Sequence, residues 1–375
     1  MCAISAGKRG RKVLVLDQAN KVGKKILMSG GGRCNFTNLD IQNENYICHN
    51  PHFFKSALSR YTQWDFIDMV EKHNINYHEK KLGQLFCDNK AKDILNMLLD
   101  ECENSKAQVK SLCTVTNISK TETGFKLITT KGLWHCQSLV VATGGLSIPK
   151  MGATGFGYEI AKQFGIKVLP TQAGLVPFTL IESMKNDFFE LSGTSVDTVV
   201  SCNGQSFREN ILFTHRGLSG PAILQISSYW NQGDNLEINL MPEIDLLTVI
   251  EQNLNKTLSS ILQDYFSKKL TQVLCRLWFK DISKKPLIEI SKQNHKKIVN
   301  KLHQWQFIPN GTEGFRTAEV TLGGIDTDEV SSKTFESHKV KNLYFIGEVL
   351  DVTAHLGGYN FQWAWSSGHA VGEYV

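Results

Sequence analysis

Long apolar runs are missing from this 375-residue sequence, and no stretch of about 18 apolar residues marks a membrane-spanning helix. The basic cluster Lys8–Lys12 follows the first apolar residues, which reverses the order found in a secretion signal. Biased composition is also missing, because 41% of the residues are hydrophobic and 21% are charged, which excludes a disordered or low-complexity chain. We therefore expect a folded cytoplasmic protein of two or three domains, with no membrane partner.

Paired cysteines are missing too, since the nine cysteines are scattered and no two form Cys-x-x-Cys. This excludes the usual zinc-ribbon and dithiol patterns, so we expect reduced thiols and no metal site. Cys34 lies among glycines, where it is either a redox-active thiol beside a cofactor or a small packing residue; we favour packing. The net charge of +5 is mild, and we do not expect a nucleic acid partner from it.

The glycine fingerprint of dinucleotide-binding folds, Gly-x-Gly-x-x-Gly, does not occur in the sequence. Residues 13–17, Val-Leu-Val-Leu-Asp, nevertheless form an apolar run that ends in an acid and follows a helix-like stretch from Cys2 to Arg9. In dinucleotide-binding folds, an acid at the end of the second strand binds the ribose hydroxyls, and it lies about 20 residues after the glycine fingerprint. A fingerprint about 20 residues before Asp17 would lie ahead of Met1, so Asp17 alone is weak support for such a site.

Two further apolar runs, residues 138–145 and 342–351, also end in glycine or acid. This layout is typical of an α/β sheet whose ligand lies across the carboxyl ends of the strands. Between these runs, residues 171–240 predict short strands, and leucines at helical spacing predict helices in residues 243–305. The sequence therefore predicts an α/β fold in which residues 1–165 and 320–375 form one discontinuous domain. A β-rich module (171–240) and a helical module (243–305) are inserted into it.

The stretch Gly23–Asn38 is the most unusual part of the sequence and contains the consecutive glycines 30–32. Bare backbone N–H groups in such a run can form a concave site for an anion or a ring edge. Arg33 adds a bidentate donor, and Ser29 and Asn35 add polar side chains. The alternative interpretation is a flexible loop.

These motifs carry a resemblance to a known family. Lys-Val-Leu-Val-Leu-Asp followed by Gly-Lys-Lys-Ile-Leu-Met-Ser-Gly-Gly-Gly-Arg-Cys-Asn-Phe-Thr-Asn resembles the signature of the BaiN/YhiN-type flavoproteins, also labelled aminoacetone-oxidase-like or NAD(P)/FAD-dependent oxidoreductases. Later motifs agree in order and spacing over essentially the whole chain: Val-Val-Ala-Thr-Gly-Gly (140–145), Gly-Ala-Thr-Gly-Phe-Gly-Tyr (152–158), Phe-Thr-His-Arg-Gly-Leu-Ser-Gly-Pro (213–221), Thr-Ala-Glu-Val-Thr-Leu-Gly-Gly-Ile (317–325) and Gly-Glu-Val-Leu-Asp with Gly-Gly-Tyr-Asn-Phe-Gln-Trp-Ala (347–364).

The resemblance implies a Rossmann-like FAD-binding domain, and it gives roles to residues of this sequence. Asp17 would hold the adenosine ribose and Val115 the adenine. The flavin and its ribityl chain would lie against Lys25, Ser29, Gly30, Gly31, Arg33, Cys34, Asn35, Ala142, Thr143, Gly144 and Gly145. Glu348 and Asp351 would bind the ribityl or pyrophosphate side, and the pyrimidine edge would face the amides of Gly357, Gly358, Tyr359 and Asn360. His355 and Tyr359 are the candidate catalytic proton donors, the alternative being structural hydrogen bonds.

The function implied is hydride transfer between flavin N5 and a small organic substrate, with NAD(P)H as a transient reductant, although no second dinucleotide fingerprint is visible. The alternative is an RNA-binding flavoprotein, because the helical segment carries Lys268, Lys269, Lys284, Lys285, Lys296, Lys297 and Lys301. A third possibility is a form unable to hold FAD.

Two departures from the family pattern concern the cofactor. Family members begin with a strand and the glycine fingerprint, leading into the equivalent of Met1–Gly7. We expect either a natural start about 20 residues upstream or a shortened chain that binds FAD poorly. The second departure is at Ala354 and His355, where the family usually has glycine and a bulky aromatic residue.

Overall fold

The computed structural model describes all residues from Met1 to Val375, and they form two compact units. Unit 1 consists of Met1–Gln172 and Val320–Val375, and unit 2 consists of Ala173–Glu319. The predicted α/β architecture is confirmed, because unit 1 combines α-helices with parallel strand pairs. No helix is both long and apolar enough to cross a bilayer.

Unit 1 contains seven α-helices and most of the short strands. Its helices are α1 (Cys2–Lys8), α2 (Lys24–Met28), α3 (Lys55–Arg60), α4 (Gln63–Lys72), α5 (Ala91–Asn104), α6 (Phe156–Gln163) and α13 (Tyr359–Gly372). Its strands are β1 (Leu14–Leu16), β2 (Asn35–Asn38), β3 (Tyr46–Ile47), β4 (Tyr77–Glu79), β5 (Gln84–Cys87), β6 (Gln108–Lys110), β7 (Val115–Thr121), β8 (Gly124–Thr129), β9 (Gly132–Cys136), β10 (Leu139–Val141), β19 (Val320–Ile325), β20 (Leu343–Phe345) and β21 (Thr353–Ala354), with β11 (Val168–Gly174) at the boundary.

The parallel strands of unit 1 form two separate pairs. In one pair β1 lies beside β6, with Val15 opposite Val109, and in the other β10 lies beside β20, with Val140 opposite Tyr344. No strand of the chain is hydrogen-bonded to the second edge of β1 or of β10. The remaining strands form the antiparallel sheets β2-β5-β4 and β7-β8-β9 and the small pairs β21-β3 and β11-β19.

The carboxyl-terminal helix α13 runs through the interior of unit 1. Its apolar residues lie on all sides of the helix, a pattern typical of a helix buried in a core, and ten of its fourteen residues are buried. Its polar side chains find partners. Gln362 accepts from Thr37 Oγ1 (2.7 Å) and donates to Tyr61 O (3.1 Å), and Trp365 Nε1 donates to Phe36 O (2.9 Å). These bonds hold α13 against β2 and the end of α3.

Unit 2 combines a seven-stranded antiparallel sheet with six helices. The strands are β12 (Phe178–Thr179), β13 (Ser195–Cys202), β14 (Gln205–Phe213), β15 (Gly217–Ser219), β16 (Leu236–Asn239), β17 (Trp305–Phe307) and β18 (Gly311–Thr312), in the order β17-β16-β13-β14-β15-β12-β18. The helices are α7 (Glu182–Phe188), α8 (Pro221–Ser227), α9 (Leu246–Gln252), α10 (Leu258–Gln263), α11 (Lys268–Trp278) and α12 (Lys292–His303).

The strands and helices that we expected as two inserted modules share one hydrophobic core. Phe213 of the sheet, Leu274 of α11 and Trp305 of β17 belong to the same buried cluster. The physical reason is that β17 follows the helices in the chain and pairs with β16, with Ile238 opposite Trp305. The leucine faces of the helices are therefore buried against this sheet.

Candidate functional site

Asp17 directly follows β1, as an acid at a ribose site would. Its Oδ1 accepts from Ala19 N (2.8 Å), and its second oxygen makes no hydrogen bond within the chain. The main chain around it is fixed, because Cys113 N donates to Asp17 O (2.9 Å) and Leu112 N donates to Ala19 O (2.9 Å). These two bonds bring the start of β7, with Val115, close to Asp17.

The three glycines form a tight turn between α2 and β2. Gly30, Gly31 and Gly32 have φ values of 56°, 66° and 87°, in the left-handed region that favours glycine. A side chain at Gly30 would meet the Phe86 ring at 2.6 Å, whereas nothing lies within 4 Å of a side chain at Gly31 or Gly32. The turn is therefore packed on one side and open on the other.

Two polar side chains of this turn have hydrogen-bond partners within the chain, and one charged side chain has no carboxylate partner. Ser29 Oγ donates to Ile26 O (2.8 Å). The neighbours of the Asn35 amide assign its orientation: with the oxygen towards Gly358 N (3.1 Å) and the nitrogen towards Thr37 O and Leu85 O, every group is paired, which ties the turn to the start of α13. The Arg33 guanidinium is exposed and has no carboxylate within 4 Å. It is the cation of this turn that remains available to a ligand.

Cys34 is fully buried, and its backbone has a φ of 53°. Burial raises the pKa of its thiol to about 11, so the thiol is protonated at neutral pH. It belongs to a core cluster with Phe36 and Cys87. These properties agree with the packing interpretation of Cys34.

Lys25 joins the glycine turn to the ends of two strands. Its Nζ donates to Ser147 Oγ and to Glu348 Oε2, both at 2.7 Å. Glu348 Oε1 accepts from Thr321 N (2.9 Å) and from Ser147 Oγ (3.2 Å). Both carboxylate oxygens of Glu348 are thus engaged by the protein, and the network connects α2, the segment after β10, β19 and the segment after β20.

The small residues after β10 allow this close approach. A side chain at Gly145 would lie 2.4 Å from Thr321 Oγ1, so only glycine fits there. Gly144 has a φ of 72°, and Ala142 and Thr143 are exposed at the carboxyl end of the strand. The backbone here is accessible to a ligand, as the sequence predicts for a strand that ends in small residues.

The N-cap residue of α13 is a glycine, so it has no side chain to cap the first turn, and Asn35 accepts only from the N–H of Gly358 itself. Gly358, with a φ of 97°, precedes the helix, and a side chain there would lie 2.4 Å from Thr37 O. The Asn360 side chain is used internally: it accepts from Ala354 N (2.9 Å) and donates to the carbonyls of Ala354 (2.9 Å) and His355 (3.2 Å). Asn360 can thus offer a ligand only its backbone N–H, and the helix dipole favours negative charge at this end.

The remaining predicted residues lie around this helix start. Asp351 is buried, and burial raises the pKa of its carboxyl; its Oδ2 accepts from His49 N (2.8 Å). Burial lowers the pKa of His355 to about 4, so its imidazole is neutral at pH 7. Burial also raises the pKa of Tyr359 to about 12, so its phenol is protonated.

Sequence reasoning missed three residues that shape this region. Ser147 and Thr321 complete the network around Glu348, and the Phe86 ring packs against Gly30. Ser147 lies two positions after Gly145, and Thr321 lies inside the family motif at residues 317–325. Both positions therefore had a weak sequence signal. Phe86 lies in an ordinary apolar strand and carried none.

A family model described as "HI0933-like protein Rossmann domain" matches residues 1–374. The chain belongs to this family. It is a family of FAD-binding oxidoreductases, so the resemblance to BaiN/YhiN-type flavoproteins and the expectation of an enzyme are confirmed.

Curated relatives in the HI0933-like family differ in their named substrates. The chain is 52% identical to the "Ribosomal RNA dihydrouridine synthase" of Escherichia coli K12, over 99% of this chain and 94% of the relative. It is 49% identical to the protein of the same name from Haemophilus influenzae, over 98% of this chain and 94% of the relative. A "3-dehydro-bile acid delta(4,6)-reductase" of Clostridium scindens is 27% identical, over 96% of this chain and 92% of the relative.

These relatives correct one expectation from the sequence. We expected no nucleic acid partner, and this is wrong, because the two relatives at 52% and 49% identity are named for a reaction on ribosomal RNA. The error has a physical cause. The net charge of +5 averages a lysine-rich segment with acidic residues elsewhere, and a phosphate-binding surface depends on local charge rather than on the sum.

The observed residues fit the two ends of FAD, the cofactor of the HI0933-like family. Asp17 has a carboxylate oxygen free for a ribose hydroxyl. The open side of Gly31 and Gly32 and the exposed strand end at Ala142 and Thr143 are accessible to a flavin, and the start of α13 offers the N–H groups of Tyr359 and Asn360. The chain contains no glycine fingerprint for the pyrophosphate between them.

Proposed function

We propose that this chain is an FAD-dependent reductase that converts a uridine of ribosomal RNA to dihydrouridine. The observation that carries the proposal is the 52% identity to a ribosomal RNA dihydrouridine synthase over 99% of this chain. A ribosomal RNA substrate also implies that the enzyme acts in the cytoplasm. The reaction adds two hydrogens across the C5–C6 double bond of uracil, so we propose NAD(P)H as the source of the hydride and water as the final source of the proton.

The named reactions of the relatives are chemically similar, which supports this reaction class. The C5–C6 bond of uracil is conjugated to the C4 carbonyl, and the name of the bile acid reductase describes reduction of ring double bonds. In a carbon–carbon double bond conjugated to a carbonyl, such as that of uracil, hydride adds to the carbon far from the carbonyl and a proton adds to the carbon beside it. FAD, when bound, supplies the hydride from N5.

The proposed roles of the residues follow from their positions. Asp17 and Val115 hold the adenosine end, and Ser29, Gly30, Gly31, Arg33, Asn35 and Ala142–Gly145 line the flavin. Lys25 and Glu348 fix the strand ends through their ion pair and the bonds to Ser147 and Thr321. The backbone amides of Tyr359 and Asn360 stabilise negative charge on the pyrimidine edge, while the N–H of Gly358 is used by Asn35.

We assign the proton transfer to the Tyr359 hydroxyl. Its pKa of about 12 keeps the proton in place at neutral pH, and the enolate of a uracil ring after hydride addition is basic enough to remove it. His355, with a pKa of about 4, carries no imidazolium proton at pH 7, and only its backbone carbonyl contacts the Asn360 side chain (3.2 Å).

The experiment uses ribosomal RNA from cells that lack this enzyme. The FAD-loaded protein is incubated with this RNA and with NADH or NADPH, and nucleosides are analysed by mass spectrometry for the gain of two hydrogens. We expect dihydrouridine at one defined position and none without the pyridine nucleotide. Oxidation of NAD(P)H with no dihydrouridine in the RNA, together with reduction of a small enone, would replace this proposal with a small-molecule reductase.

A further inference from the structure

Positive charge in unit 2 is concentrated in one segment. Residues 268–301 contain ten basic residues and two acidic ones, Asp281 and Glu289. Residues 173–267 have the opposite balance, with four basic residues and eleven acidic ones. Unit 2 therefore contains a strongly basic segment that directly follows an acidic segment, and the two charges largely cancel in the sum.

The basic residues of the two parts also differ in their partners. In residues 173–267 each basic side chain has a carboxylate within 4.0 Å, as Arg208 has with Glu243 (2.7 Å) and Asp197 (3.1 Å). In residues 268–301 only Arg276 has one, Glu190 at 2.6 Å. Nine lysines have none, and we call them the lysine surface: Lys268, Lys269, Lys280, Lys284, Lys285, Lys292, Lys296, Lys297 and Lys301.

Six lysines of the lysine surface lie on α11 and α12, whose other faces are fixed in the core, and Lys280, Lys284 and Lys285 lie in the segment between these helices. On α12, Ile298 and Leu302 are buried, and the buried His295 makes a 3.0 Å hydrogen bond through Nε2 to Leu287 O. The eight lysines other than Lys301 are exposed, and Lys301 Nζ lies 4.9 Å from the centre of the Trp278 ring at the end of α11. The charges are thus presented on a folded scaffold.

The positions of these lysines are unfavourable for the helices themselves. Lys292 and Lys296, and likewise Lys297 and Lys301, are four residues apart on α12, where like charges repel. The first turns of α11 and α12 contain lysines and no acid, although the helix dipole favours acids there. Helix stability therefore does not explain this arrangement, and a bound polyanion would.

We propose that the lysine surface holds the phosphate backbone of the RNA substrate; this inference rests on the proposed function. Lysine ammonium groups are compact point charges that contact phosphates without reading bases. An anionic lipid surface is the weaker fit, because the apolar faces of α11 and α12 are buried in the core and cannot insert into a bilayer.

The test compares the FAD-loaded wild type with Lys292→Glu/Lys296→Glu/Lys297→Glu. Binding of labelled ribosomal RNA is measured by fluorescence anisotropy over a range of salt concentrations. We expect the triple variant to lose at least roughly tenfold in affinity, and its plot of log K against log salt to be less steep by about 2 units, as for three lost phosphate contacts to single-stranded RNA. The matched arginine triple variant should bind as the wild type does.

The control replaces three exposed lysines of unit 1 that also lack a carboxylate partner, as Lys90→Glu/Lys92→Glu/Lys162→Glu. It should bind RNA as the wild type does, and all variants should oxidise NAD(P)H with an artificial dye at the wild-type rate.

Dihydrouridine formation with an unchanged KM for RNA in the Lys292 triple variant would overturn the inference and leave the proposed function intact. Wild-type protein that binds phosphatidylserine vesicles through these lysines, but not RNA, would overturn it in favour of a membrane surface. A wild type that neither binds nor reduces ribosomal RNA would overturn both.

Discussion

Lys25 Nζ lies 2.7 Å from Glu348 Oε2, and this ion pair joins two residues that are 323 positions apart in the chain. It connects the helix before the glycine turn to the segment after β20. Ser147 bonds to both partners, at 2.7 Å from Lys25 and 3.2 Å from Glu348. The pair therefore closes the discontinuous unit 1 at the carboxyl ends of its parallel strands.

The first prediction is that Lys25 stabilises unit 1 through this pair. Lys25→Met should lower the free energy of unfolding by about 1 kcal/mol, because Glu348 keeps its bonds to Thr321 and Ser147 and the pair is partly exposed. Urea denaturation measures the change, and Lys24→Met, at a neighbouring lysine without a carboxylate partner, is the control. A double-mutant cycle with Glu348→Gln should show coupling; strictly additive effects would argue against the pair.

The second prediction concerns the contact of Gly358 with Thr37. Gly358→Ala places a methyl group 2.4 Å from Thr37 O and should lower the free energy of unfolding by at least about 2 kcal/mol, together with loss of bound flavin. Gly10→Ala is the matched control, because Gly10 also has a positive φ (82°) with nothing within 4 Å of an added methyl group. The control should show only the cost of the left-handed backbone, about 1 kcal/mol. Equal destabilisation by both substitutions would contradict the close contact.

The positions of three strands of unit 1 are what the sequence predicted best. Apolar runs that end in Asp17, in Gly144–Gly145 and in Glu348 are local patterns, and each run forms a strand at that place. The roles of Ser147 and Phe86 could not be predicted, because they depend on contacts with residues that are distant in the sequence. The shared core of unit 2 was missed for the same reason: β16 and β17 pair across the whole helical segment.

The third prediction tests Asp17 as the ribose ligand. Asp17→Ala should weaken FAD binding by about 1–3 kcal/mol, since buried hydrogen-bonding groups of the ligand lose their acceptor. Flavin fluorescence on release measures the affinity. Asp17→Asn keeps an oxygen for the Ala19 N–H and should lose less than the alanine variant. Identical FAD affinity in all three proteins would remove Asp17 from the cofactor site.

The fourth prediction separates proton transfer from flavin reduction. Tyr359→Phe should slow dihydrouridine formation by about a hundredfold, the usual contribution of a general acid, and leave the reduction of bound flavin by NAD(P)H unchanged. Tyr46→Phe is the control, because Tyr46 packs edge-on against Tyr359 at 6.4 Å and donates to its carbonyl oxygen (3.3 Å). It should affect stability but not the chemical step. Full activity of Tyr359→Phe would require another proton donor.

The last prediction uses the pH dependence of stability to test the burial of His355. Burial lowers the pKa of His355 to about 4 in the folded protein, whereas an unfolded histidine titrates near 6.5. The unfolded state therefore binds more protons than the folded state below about pH 6.5, so the contribution of His355 to stability is complete above that pH and is lost as the pH falls toward 4. Between pH 7.5 and pH 5 the loss is about 2 kcal/mol.

Replacement by glutamine isolates this contribution from those of other titrating groups. His355→Gln cannot titrate, so the free energy of unfolding should fall between pH 7.5 and pH 5 by about 2 kcal/mol less than in the wild type. His338→Gln, at an exposed histidine, should follow the wild-type curve. If His355→Gln and wild type lose stability in parallel, His355 has an ordinary pKa. The imidazole would then carry charge at mildly acidic pH and would compete with Tyr359 as the proton donor.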